Sequence, residues 1–115
     1  MMRIGRLLVF AAVLVAACDD EDEPAAPQVP SQVTVQASGT GNQFIPQTAA
    51  VSRGGTVTWQ FGAITHNVTF TGGQPTGGNV PNTTNTTAQR VFPNAGSFPY
   101  NCTIHPGMTG TITVQ

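Results

Sequence analysis

Thr56-Val57-Thr58-Trp59-Gln60-Phe61 alternates polar and apolar residues without a break. Successive side chains of an extended strand point to opposite faces, so Val57, Trp59 and Phe61 share one face. The same period continues outward. Val33 and Val35 alternate with polar neighbours in a first strand, and Gly39-Thr40-Gly41-Asn42 forms the turn after it. Phe44-Ile45-Pro46 leads to a short stretch that ends at Val51 and is closed by Arg53-Gly54-Gly55. Downstream, Val68 and Phe70 repeat the pattern after His66, and Arg90 to Phe92, Ser97 to Cys102 and Thr109 to Val114 supply the last strands. Gly72 to Thr87 is polar, with glycines, prolines and two Asn-Thr-Thr triplets, and reads equally as a loose connection or a short irregular strand. No helix of about ten residues fits anywhere after Ser31. About seven or eight short strands separated by Gly/Pro turns predict an all-β fold, a single β-sandwich.

Charge is distributed unevenly. All five acidic residues lie in one run, Asp19 to Glu23, and from Ser31 onward the only charged side chains besides histidine are Arg53 and Arg90. The net charge of −1 therefore conceals a folding part of +2. Nucleic-acid binding needs clustered Lys and Arg, so no nucleic-acid partner is expected.

The start of the chain reads as an export signal. Arg3 and Arg6 precede an apolar run from Leu7 to Ala17. That run is shorter than the roughly 20 residues a bilayer span requires, but it suits a signal-peptide core. Its end, Val15-Ala16-Ala17-Cys18, resembles the bacterial lipobox, which implies cleavage before Cys18 and lipid on the Cys18 sulfur. An ordinary signal peptide followed by a chance cysteine is the plainer alternative. Residues 18–30, acidic and then Pro-rich, look like a tether, with a reach of roughly 35–40 Å if extended. The expected organisation is a lipoprotein signal peptide at 1–17, a tether at 18–30 and one domain at 31–115. The expected location is exported, in the bacterial periplasm or at the cell surface, anchored to the membrane through Cys18.

With Cys18 in the processing site, Cys102 is a lone thiol in an oxidising compartment, where a disulfide would otherwise be expected. It belongs to Tyr100-Asn101-Cys102-Thr103-Ile104-His105-Pro106-Gly107-Met108, a Cys-x2-His-x2-Met spacing on a turn. The chain's only other histidine, His66, lies upstream in Thr65-His66-Asn67-Val68. Taken singly, each residue has a plain reading: a small buried hydrophobe for Cys102, core filling for Met108, surface or hydrogen-bonded positions for the histidines. Taken together they are two imidazoles, a thiolate and a weak axial thioether, the set of an electron-transfer copper site. Zinc sites do not use methionine. A Cys–His hydrolase would need an oxyanion hole and a cleft that a domain of about 85 residues scarcely has room for. The domain also lacks a disulfide, so a bound metal would add materially to its stability.

From about Val33 to Val114 the chain resembles the cupredoxins, small blue copper proteins, and within them the plastocyanin and amicyanin group. The resemblance rests on Phe44-x-Pro46, Gly55-Thr56-Val57-Thr58-Trp59, His66-Asn67-Val68, Gly96-Ser97-Phe98-x-Tyr100 and Cys102-x-x-His105-Pro106-x-Met108. It implies a Greek-key sandwich holding one copper ion, Cu(I)/Cu(II), on His66, Cys102, His105 and Met108. It also implies that Asn67 ties the His66 segment to the Cys102 loop, and that electrons pass through His105 inside a rim of Ile104, Pro106 and Gly107. The implied protein is a monomer and not an enzyme, carrying single electrons between a redox protein donor and acceptor that dock near His105. A copper-binding or delivery protein would share the ligand set, but delivery proteins tend to be methionine-rich, and Met108 is the only methionine after Ser31. Two positions depart from amicyanin: Ile104 stands where a proline is common, and Gly107 where a bulkier residue is.

Overall fold

Eight strands and no helix make up residues 28–115, the part of the chain that the computed structural model describes. The expected signal peptide, and the tether up to residue 27, lie outside the described residues. The strands are β1 (Gln32–Ala37), β2 (Thr48–Val51), β3 (Gly55–Phe61), β4 (His66–Phe70), β5 (Val80–Thr83), β6 (Thr87–Phe92), β7 (Gly96–Asn101) and β8 (Thr109–Val114). They form two sheets, ordered β1-β3-β6 and β2-β8-β7-β4-β5. β1 runs parallel to β3 and β2 parallel to β8, and the other pairs are antiparallel. This is the predicted all-β sandwich.

The alternation in β3 does what its sequence dictates. Val57, Trp59 and Phe61 are buried between the sheets, while Thr56, Thr58 and Gln60 face outward. Trp59 meets Tyr100 edge-on at 5.6 Å between ring centroids and Phe70 at 6.2 Å, and Phe44 meets Tyr100 at 4.8 Å. Edge-to-face packing of this kind adds to the roughly 1.5–3 kcal/mol that full burial of a large apolar side chain contributes.

Tyr100 pairs with Gly110 across β7 and β8, and the Tyr100 ring lies over the space a Cβ at Gly110 would fill. The Tyr100 hydroxyl and the Trp59 indole N–H are both buried without a hydrogen-bond partner. Burial pushes the Tyr100 hydroxyl up to about 12, and the nearby Trp59 N–H draws it back only in part.

One open alternative is decided, and one strand boundary differs from the sequence expectation. The polar segment from Gly72 to Thr87 contains a true strand, β5, and β6 begins at Thr87 instead of Arg90. Neither has the apolar period of a buried strand: β6 is held by its ladder with β3, and the approach to β5 is tied to β6 by Arg90. The Arg90 guanidinium donates to the carbonyls of Gly78 (2.9 Å), Asn79 (2.8 Å) and Gln89 (2.7 Å), clamping the approach to β5 onto β6. Asn79 Oδ1 in turn accepts the Phe70 N–H of β4 at 2.9 Å. Hydrogen bonds from a charged donor contribute about 1.5–3 kcal/mol. With no Asp or Glu in residues 28–115, this domain is bonded through amides, hydroxyls and arginine rather than ion pairs.

Candidate metal centre

The last two strands of the fold form a hairpin, and residues 102–108 are its connection. Three backbone bonds shape that loop: Cys102 N–H to Met108 O (2.9 Å), Met108 N–H to His105 O (3.1 Å) and His105 N–H to Cys102 O (3.4 Å). Gly107 completes the turn at φ +86°, a conformation side chains other than glycine's resist. The loop therefore folds back on itself and points Cys102 and Met108 inward, both buried, while His105 is half-buried and Ile104, Pro106 and Gly107 are exposed.

His66 reaches the same place as the first residue of β4, which pairs with β7 in antiparallel register, Thr69 opposite Asn101. The start of β4 thus runs past the end of β7 and lies beside the loop that follows it. His66 Nδ1 and His105 Nδ1 are 3.0 Å apart, and Cys102 Sγ is 4.0 Å from the first and 3.5 Å from the second. All three donor atoms lie within 4.8 Å of one another. His66 is fully buried, and its other nitrogen, Nε2, has no hydrogen-bond partner. Burial lowers the His66 pKa, and the neighbouring His105 lowers it further. An imidazole whose Nδ1 faces a thiol and a second imidazole makes a soft metal-binding donor set.

Asn67 connects the two segments. Its backbone N–H donates to Cys102 Sγ at 3.4 Å, and its side-chain Nδ2 donates to Thr103 Oγ1 at 2.8 Å. The Thr103 N–H returns a bond to Asn67 Oδ1 at 3.1 Å. The residues next to His66 and Cys102 are thereby joined by two hydrogen bonds. A donor aimed at the sulfur is one of the contacts that tune a copper–thiolate site.

Of the four expected ligands, His66, Cys102 and His105 converge directly. Met108 is buried in the same loop, its main chain bonded to both Cys102 and His105. Sequence reasoning missed Asn82 and Thr69, which both bond to Asn67. Asn82 sits in a Thr/Asn run with no periodic signal, and its role is visible only once β5 is paired with β4.

Comparison with known proteins agrees with this geometry. The profile of the copper binding proteins of the plastocyanin/azurin family matches residues 31–115. A reduced Cu(I) amicyanin variant at pH 4 is similar at 27% identity and a TM-score of 0.63, over 77% of this chain and 87% of that one. An oxidised amicyanin variant is 28% identical with a TM-score of 0.62, over 72% and 81%. A copper-containing nitrite reductase from Thermus scotoductus is 27% identical with a TM-score of 0.60, over 82% of this chain but only 24% of its own. No curated protein sequence matches the chain. With a matching profile across the whole sandwich and a buried His/Cys/His donor set, the chain belongs to the plastocyanin/azurin family of copper binding proteins, the cupredoxins, and takes one copper ion as its cofactor.

Proposed function

We propose that the chain is a blue copper protein that carries single electrons between redox partners outside the cytoplasmic membrane, with His66, Cys102, His105 and Met108 as its ligands. The observation that carries this reading is the convergence of His66 Nδ1, Cys102 Sγ and His105 Nδ1 at one end of the sandwich. Bound copper supplies a one-electron couple there, and the chain's own residues do the rest. His66, Cys102 and Met108 exclude water, being at most 1% exposed. The strand ends and the Asn67 bonds fix the donors before any metal arrives, so little has to move when the charge changes. Half-buried His105 brings the site to the surface, and exposed Ile104, Pro106 and Gly107 surround it as a docking rim. The nitrite reductase relative is about four times longer than its match to this chain, and the carrier reading is favoured here because the described residues hold one metal-ligating cluster.

Adding Cu(II) to the full chain is expected to give an intense thiolate-to-copper band in the visible and a reversible one-electron potential. A colourless protein that binds zinc as well as copper would overturn the reading. Since the domain carries no acidic patch, partners dock near His105 by apolar and polar contact. Association rates should then change little with added salt, whereas a steep fall would refute this mode of docking. Membrane attachment is proposed from Cys18 on sequence grounds alone: Cys18→Ser should shift the chain from the membrane to the soluble fraction, and unchanged membrane association would count against the lipid.

A further inference from the structure

Asn82 is an exposed residue on edge strand β5, yet its carboxamide reaches buried Asn67, the residue beside His66. The β4/β5 ladder pairs His66 with Thr83 and Val68 with Val80. Two steps along β4 therefore span three along β5, and β5 carries one extra residue opposite Asn67. A bulge of this kind bends its strand and re-aims a side chain, and it tolerates Pro81, which has no N–H to give the ladder. Asn82 Oδ1 is brought to 3.0 Å from Asn67 Nδ2 and accepts its hydrogen bond.

That contact completes Asn67. A carboxamide has two N–H donors and two acceptor lone pairs. Asn67 Nδ2 donates to Asn82 Oδ1 and to Thr103 Oγ1, while Asn67 Oδ1 accepts from the Thr103 N–H and from the Thr69 hydroxyl at 3.0 Å. The Thr103 N–H can only donate, so a reversed amide would break that bond. We propose that Asn82 is a positioning residue for the copper site, holding the Asn67 amide in the one orientation that locks Thr103, and with it Cys102, against His66. The proposal rests on the reading of His66 and Cys102 as ligands. Asn67 joins the residues beside those ligands, and Asn82 anchors the joint to a third strand. Without Asn82, the Asn67 amide loses one of its four hydrogen bonds and holds Thr103 less firmly with the remaining three.

The test compares Asn82→Ala, which removes the acceptor, with Asn82→Asp, which keeps an oxygen in its place. Amide hydrogen exchange on the full metal-free chain reads the lock directly. Thr103 N–H should exchange about fivefold faster in Asn82→Ala, the factor that one net hydrogen bond is worth. Asn82→Asp should keep wild-type protection, and amides of β1 and β3 should not change in either variant. With copper bound, the thiolate-to-copper bands should change their intensity ratio in Asn82→Ala and recover it in Asn82→Asp. Unchanged Thr103 exchange in Asn82→Ala, equal acceleration in Asn82→Asp, or faster exchange throughout the domain would each overturn the proposal. A wild-type chain that lacks the band would instead remove the ligand reading beneath it. Exchange rates taken without metal tell those two failures apart.

Discussion

Cys102→Ser is expected to abolish the intense visible band of the copper-loaded chain and to weaken copper binding by more than about a hundredfold. Removing a partner that merely supports a ligand costs roughly 10–100-fold in metal affinity, and Cys102 is the only thiol in the donor cluster. The thiolate is both the soft donor that favours copper and the group whose electrons give the band. A serine hydroxyl stays protonated near neutral pH and is a poor ligand. The scaffold should survive the change, because the loop is closed by the main chain of Cys102, His105 and Met108 and not by the sulfur. Absorption spectroscopy with a competing chelator checks both outcomes. A blue band retained in Cys102→Ser would mean that the site lies elsewhere.

Gly110→Ala should lower the melting temperature by roughly 12–24 °C, the consequence of about 3 kcal/mol in a domain of this size. A methyl group at that position would overlap the ring carbons and hydroxyl of Tyr100, with Cε2 at 2.8 Å. A flexible side chain could yield, but Tyr100 is wedged among Phe44, Trp59 and Phe70. Alanine would recover about 0.5–1 kcal/mol of backbone entropy relative to glycine, too little to offset the clash. Thermal unfolding measures the sum. A melting temperature within about 3 °C of wild type would show that the ring has somewhere to go.

The parts of this molecule that were readable in advance are those in which neighbouring residues carry the information. Val57, Trp59 and Phe61 announce their shared face by alternation alone, and Val68 and Phe70 do the same. Cys102, His105 and Met108 share one turn, and His66 was singled out because the chain has only one other histidine. β5 was readable only as one of two alternatives, a short irregular strand or a loose connection. Val80-Pro81-Asn82-Thr83 has no apolar period, and it is a strand because β4 offers it a ladder and Arg90 clamps its approach. Asn82 was hidden for the same reason, since its partner lies 15 positions away and faces it only across a bulge. β6 was cut short because Thr87 and Gln89 look like loop until β3 supplies their pairing.

A fold bonded without carboxylates has an unusual relation to protons. Acid unfolding is in most domains the protonation of Asp and Glu side chains that the native state holds below their ordinary pKa. Residues 28–115 have none, and the carbonyls that receive Arg90 do not titrate. On the acid side the shifted group is His66. Its folded pKa is lowered, so the unfolded chain takes up the proton first, and the metal-free domain loses stability as pH falls below 6.5 until the folded state protonates too. On the alkaline side Tyr100 is raised from 10.0 to about 12, so its contribution is complete below 10.0 and lost as pH climbs toward about 12. That loss amounts to roughly 2–3 kcal/mol. Melting temperatures of the metal-free domain should therefore form a plateau between these limits, with no separate carboxylate step near pH 4. A pronounced step there would contradict it. The proton sensitivity that the structure shows sits on two rings, His66 at the copper end and Tyr100 in the core.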